Sequence, residues 1–459
     1  MNRRVIASIG TAASVCLLLA ACSSSKTASP AATSSSAPTT AASASSASTS
    51  PASAPASAST AASAAASSPA AGKVTLTYWS GFTGGDGPTY VALVKEFNAT
   101  HPNIQVNMVV QPWDTIAQKL PTALKTGSGP DIATPDYNVG TIRNYITDGL
   151  IAPIDDLIGS GPNQIAPGVL PKTLTDGFTV NGHLYAAPAN FATLLLYYNK
   201  TLFSAAGISA PPTTMDELRA DAVKLTKKGS QYGISLADNN TIAMWPILIW
   251  ADGGDIINSG NCSALDTPAT INAVSSWASL IVKDGISPVG QTGQGADNLF
   301  TAGKAAMEIN GPWATGEYNG KVDYDVAPVP VGSSGKEVTL ASTVPMVVSA
   351  TTKHKAEALT FFAWWLSKTA QEGLAKGSGY PPSRTDMGSD PALAVNPFVP
   401  KFAAQADAAR LYLPDQPQFG HIDTDIFSTA IDKATRGSNV TSVMTSASSQ
   451  INQITGCKS

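Results

Sequence analysis

A run of about fifty residues near the start of this chain cannot contribute to a folded core. Residues 23–72 contain only Ser, Ala, Thr and Pro, apart from Lys26 and Gly72. Because this run has no large apolar side chain to bury, it cannot offset its ordering entropy, and we expect it to be disordered. As a flexible coil it would span roughly 40 Å on average. The fold therefore has to be built from the residues that follow the run.

The segment before the run is typical of an export signal. Two arginines precede an apolar stretch, Val5 to Ala20, that is too short for a comfortable membrane span. We interpret residues 1–21 as a signal peptide, because Leu19-Ala20-Ala21-Cys22 resembles a bacterial lipobox, whose cysteine is acylated with lipid such as palmitate. An ordinary signal peptide with an incidental cysteine is the alternative. Residues 22–72 are then a lipidated Cys22 and a tether that holds the protein at the outer face of the cytoplasmic membrane.

The size and charge of the remaining chain limit what it can be. About 390 residues follow the tether, which exceeds the size at which one core usually keeps growing, so we expect two lobes. The formal net charge is −4, so there is no basic surface for nucleic acid or an anionic membrane. We expect a monomer whose membrane contact is the lipid anchor.

Cysteine usage is consistent with export. Of the four cysteines, Cys16 leaves with the signal peptide and Cys22 carries the lipid. Cys262 and Cys457 remain in an oxidising compartment, where a disulfide between them would contribute a few kcal/mol to stability. Two separate thiols are the alternative.

The beginning of the folded part alternates strands and helices. The segments "GKVTLTYWS" (72–80), "NIQVNMVV" (103–110) and Asp131–Ala133 predict strands, with helices between them. This order favours a doubly wound parallel sheet, in which ligands bind at the carboxyl ends of the strands. The candidate binding residues in these post-strand loops are Trp79, Asp86, Asp136, Tyr137 and Asn138.

Further local signals follow along the chain. Asn181-Gly182 predicts a hairpin turn, and Thr214 with Glu217 has the spacing of a helix capping box. Between them, "FATLLLYYNKTLF" predicts a strand that is buried on both faces. No signature of catalysis accompanies them: "GSSGK" (332–336) is too short for a phosphate loop, and the four histidines lack the spacing of a metal site. We therefore expect no enzyme, no cofactor and no metal.

Several stretches together resemble a known family. They are "EFNATHPNIQV", "LPTALKTGSGPDI", "LLLYYNKTLFSAAGISAPPTTMDEL", "WPILIWADGGDI", "GKAAMEINGPW" and "KHKAEALTFFAWWLS", and they occur in the family's order. On these residues the chain resembles the extracellular solute-binding proteins of ABC importers, of the maltose- and oligosaccharide-binding type. The resemblance implies capture of a sugar and its delivery to a membrane permease.

The resemblance also implies the architecture. The expected fold is α/β with two lobes of the type II binding-protein kind, each a mostly parallel sheet flanked by helices, hinged with a ligand cleft between them. Lobe 1 would comprise residues 73–190 and 342–390, and lobe 2 residues 191–341 and 391–459. The hinge strands would be Asn190 to Leu196 and roughly Val338 to Ser342.

Aromatic and polar residues are the candidates for holding a sugar, which has apolar faces and hydroxyl edges. Trp313 in "GPW" matches a stacking tryptophan of the family, with a core position as the alternative. Asp86 lies where the family places polar contacts, although it could serve only as a helix N-terminal charge. Pro135 replaces an aromatic residue of the maltose binders, which argues against maltodextrin itself.

The remaining candidates follow from the same comparison. Asn240 matches an acidic residue before Trp245-Pro246, and Trp245 itself is either core or site. Asp423 stands where the family has a stacking tryptophan. The hinge stretch supplies Asn190 and Phe191, and "GYPPSR" supplies Tyr380 and Arg384.

Two other functions remain open. A binder of glycerol 3-phosphate or its diesters would need basic side chains, for which Arg143, Arg384 and Arg410 are the candidates. A secreted, lipid-anchored glycoside hydrolase would need a pair of carboxylates in a similar cleft. The aromatic and acidic candidates fit a neutral saccharide better than a phosphate ester.

Overall fold

A computed structural model describes residues 72–136, 139–239, 243–388, 390–414 and 416–457. The predicted signal peptide, the predicted tether up to residue 71 and Cys22 lie outside the described residues, as do the candidates Tyr137, Asn138 and Asn240. The strands are β1 (Val74–Ser80), β2 (Ile104–Val110), β3 (Ile132–Ala133), β4 (Thr179–Val180), β5 (His183–Leu184), β6 (Ala186–Pro188), β7 (Ala192–Thr193), β8 (Leu195–Asn199), β9 (Met307–Asn310), β10 (Tyr324–Ala327), β11 (Thr339–Ser342), β12 (Pro345–Val348) and β13 (Ala409–Leu411).

The α-helices connect and cover these strands. They are α1 (Gly87–Thr100), α2 (Trp113–Lys125), α3 (Ile142–Thr147), α4 (Lys172–Phe178), α5 (Lys200–Ala205), α6 (Met215–Leu225), α7 (Met244–Ala251), α8 (Pro268–Asp284), α9 (Gly293–Thr301), α10 (Thr315–Tyr318), α11 (Lys355–Trp365), α12 (Lys368–Ser378), α13 (Val399–Ala403), α14 (Ser428–Thr435) and α15 (Val440–Thr455). A π-helix, His421–Phe427, leads directly into α14.

The buried apolar side chains form two large clusters, one in each lobe. The first draws on β1, α1, α2, β12 and α11, and the second on β8, α6, α7, α8, α14 and α15. One face of α1, formed by Tyr90, Leu93, Val94 and Phe97 at the spacing of an amphipathic helix, is buried in the first cluster. The two-lobed α/β fold is therefore confirmed, and the residue bounds of the lobes stay a prediction.

The sheet of lobe 1 has the strand order β2-β1-β3-β12-β6. β1 is parallel to both β2 and β3, as the strand and helix order predicts. β12 is antiparallel to β3 and to β6. The chain enters β12 directly from lobe 2. β12 is therefore not part of a βαβ unit, in which it would have to be parallel to the preceding strand.

The sheet of lobe 2 that contains β8, β9 and β10 differs from the expected parallel arrangement. β8 lies in its centre and is antiparallel to both β9 and β10. More than a hundred residues and five helices separate β8 from β9, and a connection of that length can return the chain in either direction. The predicted burial of the β8 segment is nevertheless correct, since four of its five residues are buried.

Two strands pass side by side where the chain crosses between the lobes. β7 pairs with β11 in antiparallel register, Ala192 opposite Ser342 and Thr193 opposite Ala341. β13 pairs with the other edge of β11 in parallel. β7 and β11 lie within the predicted hinge segments, and their role as a hinge stays a prediction.

Local sequence signals are confirmed in several places. Asn181 and Gly182 have φ values of 52° and 81° and join β4 to β5, as the hairpin signal predicts. Thr214 and Glu217 form both hydrogen bonds of a capping box at the start of α6. Within the described ranges no helix is long and apolar enough to cross a membrane.

A disulfide fastens the end of the described chain within lobe 2. Cys262 and Cys457 are bonded, with Cα atoms 5.2 Å apart and a sequence separation of 195. Next to this bond, the Ser263 amide donates to Asn452 Oδ1 over 2.7 Å. The loop after α7 and the last helix, α15, are thus held together by a covalent and a polar contact.

Candidate functional site

A cavity of about 280 Å³ lies between the two lobes. Lobe 1 provides the loop after β1, the start of α2 and the residue after α12, and lobe 2 provides β11 and the chain around the π-helix. The residues that line it are Phe82, Thr83, Gly84, Asp86, Trp113, Asn190, Ala243, Trp313, Leu340, Ala341, Ser342, Thr343, Val344, Tyr380, Leu411, Tyr412, Phe419 and Asp423. Aromatic rings and two carboxyl groups therefore dominate its chemistry.

The acidic group of lobe 1 is Asp86, in the loop between β1 and α1. Its side chain is buried, and Oδ2 accepts a hydrogen bond from Tyr380 Oη over 3.1 Å. Burial raises the pKa of Asp86 to about 6 against the opposing effect of this hydrogen bond. The predicted position at the carboxyl end of a strand thus corresponds to a place on the cavity wall.

The acidic group of lobe 2 is Asp423, inside the π-helix. Its Oδ1 accepts a hydrogen bond from Tyr412 Oη over 2.9 Å. Burial, together with the negative charge of Asp136, raises the pKa of Asp423 to about 7 against the opposing effect of the Tyr412 hydrogen bond. π-helical turns occur often at functional sites, where the wider turn re-aims a side chain.

Two tryptophans lie flat against glycines at the cavity. A Cβ on Gly81 would lie 2.2 Å from Trp113 Cε3, and a Cβ on Gly311 would lie 2.1 Å from Trp313 Cζ3. A larger residue at either glycine position would displace the neighbouring indole ring. Phe82 extends this aromatic wall, since its ring stacks on Tyr90 with centroids 3.6 Å apart.

Trp313 occupies the junction of the two lobes. It follows β9 in a short 3-10 turn, Pro312–Ala314, and its side chain packs against both large clusters. Its ring centroid is 6.4 Å from that of Tyr380. Because it is only half-buried and lines the cavity, it is available to a solute as well as to the core.

A buried polar network supports the strand that leads to Trp313. Tyr318 Oη lies 2.6 Å from Glu308 Oε2 and 2.9 Å from Asp297 Oδ1. One hydroxyl hydrogen can serve only one of them, so the other carboxyl must itself carry a proton, and burial raises the pKa of Glu308 well above its usual range. On the neighbouring strand, Tyr197 Oη donates to the Gly311 carbonyl over 2.6 Å.

Asn190 lines the cavity but its side chain already has partners. Nδ2 donates to Tyr90 Oη over 2.7 Å, and Oδ1 accepts from the Val344 amide over 3.0 Å. Its carbonyl accepts from Thr343 Oγ1 over 2.7 Å. The residue therefore joins the two crossing segments to α1, and a direct contact with a solute stays a prediction.

Five of the predicted site residues line the cavity and five described ones do not. The five that meet there are Asp86, Asn190, Trp313, Tyr380 and Asp423. Asp136 does not line the cavity, but its negative charge raises the pKa of Asp423. Trp79 points away from the cavity and packs half-buried against the core of lobe 1.

The other three belong elsewhere for clear physical reasons. Trp245 is fully buried in the core of lobe 2, where Nε1 donates to the Ala237 carbonyl over 2.9 Å. Phe191 packs in a small apolar cluster with Leu174 and Ala341. The Arg384 guanidinium is occupied by the Asp386 carboxylate and the Leu366 carbonyl.

Several lining residues were not predicted. Trp113 follows β2, so the rule that sites lie at carboxyl ends of parallel strands would have found it. Phe82 lies in the same loop as Asp86. Tyr412 and Phe419 lie between β13 and the π-helix, in a stretch without periodicity, and no sequence signal marks them.

Basic residues do not reach the cavity in the part of the chain that the structure describes. Arg143 Nε donates to the Pro414 carbonyl at 3.5 Å, and Arg410 pairs with Asp255 while its guanidinium lies 4.4 Å from the Trp250 ring centroid. Among these same residues no group of three or more His, Cys, Asp or Glu could hold a metal ion.

A cleft of this kind, lined from two lobes that strands connect, defines a class of proteins that enclose a small solute between two halves. Comparison with known proteins agrees. The chain belongs to the family of bacterial extracellular solute-binding proteins, whose model matches residues 83–372.

Individual relatives cover most of the chain. A putative binding protein of Brucella abortus is 28% identical over 372 residues, which is 79% of this chain and 88% of that protein. The diacetylchitobiose binding protein DasA of Streptomyces coelicolor is 26% identical over 333 residues, 69% of this chain and 75% of that protein. The crystal structure of the GacH receptor of Streptomyces glaucescens superimposes with a TM-score of 0.75 at 23% identity and covers 84% of this chain and 100% of that one.

Proposed function

We propose that this protein captures a sugar or a short oligosaccharide outside the cytoplasm and delivers it to the permease of an ABC importer. The observation that carries the proposal is the cavity itself, in which aromatic rings and two carboxyl groups from both lobes converge. Rings suit the apolar faces of a sugar, and carboxyl oxygens accept hydrogen bonds from its hydroxyl edges. DasA, a relative of this chain, is named for binding a disaccharide, which supports the same ligand class.

Capture would work by closure of the two lobes. A solute that touches both walls stabilises the closed state by the contacts that exist only there. A shift from mostly open to mostly closed requires about 5 kcal/mol of differential affinity. Hydrogen bonds bridge the lobes, from Asn144 Nδ2 to the Pro417 carbonyl over 2.7 Å and from Thr315 Oγ1 to the Ser378 carbonyl over 3.0 Å, and they would stabilise the closed state with or without a solute.

The predicted lipid anchor would keep the capture step near the membrane. A lipid on Cys22 and the tether up to residue 72 would confine the binding lobes to within tens of ångströms of the permease, which raises their effective concentration there. Mass spectrometry of the membrane-associated protein tests this part: a diacylglycerol-modified peptide beginning at Cys22 is the expected result, and an unmodified peptide would contradict it.

The structure gives the phosphate-ester alternative less support. A phosphodiester would need basic side chains on the cavity wall. The three candidate arginines bind other groups, and none lines the cavity among the described residues. A hydrolase would use paired carboxyl groups, and for that reason turnover has to be measured together with binding.

Titration calorimetry of the purified full-length chain tests the proposal. The panel comprises monosaccharides, disaccharides and longer oligosaccharides, with glycerol 3-phosphate and glycerophosphodiesters as the rival arm. We expect micromolar or tighter binding of at least one saccharide and no release of hydrolysis products. Tight binding confined to the phosphate esters, or turnover of a glycoside, would contradict it.

Solution scattering with and without the bound sugar tests the closure. The expected result is a smaller radius of gyration in the presence of the sugar. An unchanged scattering curve at saturation would show that the lobes do not move on binding.

A further inference from the structure

The charged side chains on the described part of the cavity wall are acidic. Asp86 and Asp423 line the cavity from opposite lobes, and no Lys, Arg or His is present among the described residues on its wall. The electrostatic environment agrees, because burial is the largest cause of the raised pKa of both carboxyl groups, and the negative charge of Asp136 also raises the pKa of Asp423. The wall therefore has two acidic groups whose charge the protein itself does not balance.

Burial makes this imbalance significant. Asp86 and Asp423 are each only 4% exposed, and each accepts a hydrogen bond from a tyrosine phenol. A phenol supplies a hydrogen bond but no opposite charge. A buried carboxylate without a cation costs several kcal/mol, and a bound cation would offset much of that cost.

The aromatic wall suits the same partner. Phe82, Trp113, Trp313 and Phe419 present π-electron faces or edges to the same small space. A cation within about 6 Å of such a ring gains roughly 0.5–2 kcal/mol, and the gain is larger where water is excluded. A neutral sugar also stacks on rings and donates hydroxyl hydrogen bonds to carboxylates, but only a positive charge offsets the buried negative charge of the carboxylates as well.

We propose that the solute is an amino sugar, that is, a hydroxyl-bearing ring with a positively charged amine, and that Asp86 and Asp423 select that charge. The inference rests on the proposed function and narrows its ligand class. A volume of about 280 Å³ lies at the lower end of ligand pockets, which span about 300–1,000 Å³, so one or two sugar rings are the expected size. The net charge of −4 favours the approach of a cation.

A matched panel tests the charge directly. Calorimetry on the full-length chain compares glucosamine and galactosamine with glucose, galactose and the two N-acetylated hexosamines, and the glucosamine disaccharide with its di-N-acetyl form. Within each set the ring is the same, and the substituent at C2 changes from a charged amine to a neutral hydroxyl or acetamide, so that two neutral substituents of different size bracket the amine. We expect the amine to bind at least tenfold more tightly than either neutral counterpart, with an affinity that falls as salt is added.

Isosteric variants identify the groups responsible. Asp423→Asn and Asp86→Asn keep the shape of the wall and remove one charge each, so each should reduce amine affinity at least tenfold while the affinity for a neutral sugar changes by less than threefold. Asp425→Asn is the matched control, because Asp425 lies on the same π-helix but is exposed and pairs with His421. It should leave both affinities unchanged.

The pH dependence of the affinity provides an independent test. Tyr90 and Tyr380 face Asp86, and Tyr412 and Asp136 face Asp423. With pKa values of about 6 and about 7 in the free protein, both carboxyl groups gain charge between pH 5 and pH 7. The affinity for the amine should rise over this interval, whereas that for a neutral sugar should not.

The possible outcomes separate this inference from the function on which it rests. Neutral sugars that bind as tightly as their amino counterparts would overturn the inference and leave sugar capture intact. Binding of simple amines such as spermidine without any sugar would overturn sugar capture and retain the selection of charge. Binding of neither class at millimolar concentration would contradict both.

Discussion

The two walls of the cavity present the same pair of side chains on two different backbones. In lobe 1 the pair is Asp86 with Tyr380, and Asp86 stands in a loop between a strand and a helix. In lobe 2 the pair is Asp423 with Tyr412, and Asp423 stands within a π-helix. A buried carboxyl held by a phenol can thus be built wherever the backbone can point two such groups into one cavity.

The two lobes also differ in the interactions that stabilise them. Lobe 2 has a disulfide and the buried network behind Trp313, whereas lobe 1 has the stacked rings of Phe82 and Tyr90. Burial raises the pKa of both acids, and Asp423 is the more perturbed one, with the charge of Asp136 as an additional cause. Substitutions can therefore test whether the two pairs are equivalent in energy as well as in chemistry.

The largest expected effect concerns the disulfide and should be confined to lobe 2. Replacing both Cys262 and Cys457 by Ser should lower the free energy of unfolding of this lobe by about 2–5 kcal/mol, because the open chain gains conformational entropy. Hydrogen exchange monitored by mass spectrometry checks this: peptides of α8 and α15 should exchange faster, and those of β1 and α1 should not. Equal acceleration in both lobes would show that they unfold as one unit.

The next prediction compares the two acids through pH. Both carboxyl groups have pKa values raised above the unfolded value, so the folded chain binds more protons and its stability falls as pH rises from about 4 to about 7. Asp423→Asn should therefore stabilise the ligand-free protein at pH 8 by about 1–3 kcal/mol, and Asp86→Asn by less.

Chemical denaturation at pH 4.5 and pH 8 measures this difference. At the lower pH the wild-type carboxyl groups are protonated in the folded state, so the gain from each Asn should be small. A larger gain for Asp86→Asn than for Asp423→Asn would contradict the assignment of Asp423 as the carboxyl with the more strongly raised pKa.

A third prediction concerns the element that both walls share. Trp313→Ala should lower the affinity for the captured sugar at least tenfold, since the exposed ring face contributes about 2 kcal/mol. Trp364→Ala is the matched control, because Trp364 packs against Phe97 and His101 on the outer side of lobe 1. Calorimetry should show a loss for Trp313→Ala alone, and equal affinities for the two variants would assign Trp313 to the core.

A smaller effect distinguishes the two phenols. Tyr380→Phe and Tyr412→Phe each remove one hydrogen bond worth about 1 kcal/mol, which corresponds to about fivefold in affinity if the carboxyl must be held in place. Similar losses for the two variants would confirm that the pairs are equivalent. A loss in only one of them would show that only one carboxyl contacts the solute.

The smallest effect is expected outside the cavity. Arg384→Ala removes a guanidinium that binds Asp386 and the Leu366 carbonyl, so affinity should stay within twofold of the wild-type value. A fivefold or larger loss, measured by the same calorimetry, would mean that this arginine reaches the solute after all.

These comparisons also show where reasoning from the sequence succeeds. Asp86 is predictable, because the alternation of strand and helix places it at the carboxyl end of β1. Asp423 is a candidate only because the chain resembles a known family that has a stacking tryptophan at this position. No local sequence pattern predicts the π-helix that carries it. Its partner Tyr412 is missed, because contacts between a loop and a helix depend on tertiary packing and leave no periodic trace.

The misplaced candidates have a common physical origin. Trp245 belongs to α7, "MWPILIWA", which is apolar on every side, and a helix of that kind is buried throughout. Trp79 lies on β1 and packs half-buried against the core of lobe 1, so it does not line the cavity. In both cases packing against the core of a lobe decides the role, and proximity in sequence to a cleft does not.

The path of the chain has a practical consequence. The first strand, β1, lies in the core of lobe 1, while the last helix, α15, lies in the core of lobe 2 and is fixed there by Cys457. The two ends of the described chain are therefore carried by opposite halves. A donor fluorophore before β1 and an acceptor after α15 would convert the swing of one half against the other into a change in energy transfer, so the molecule could report its own solute in real time.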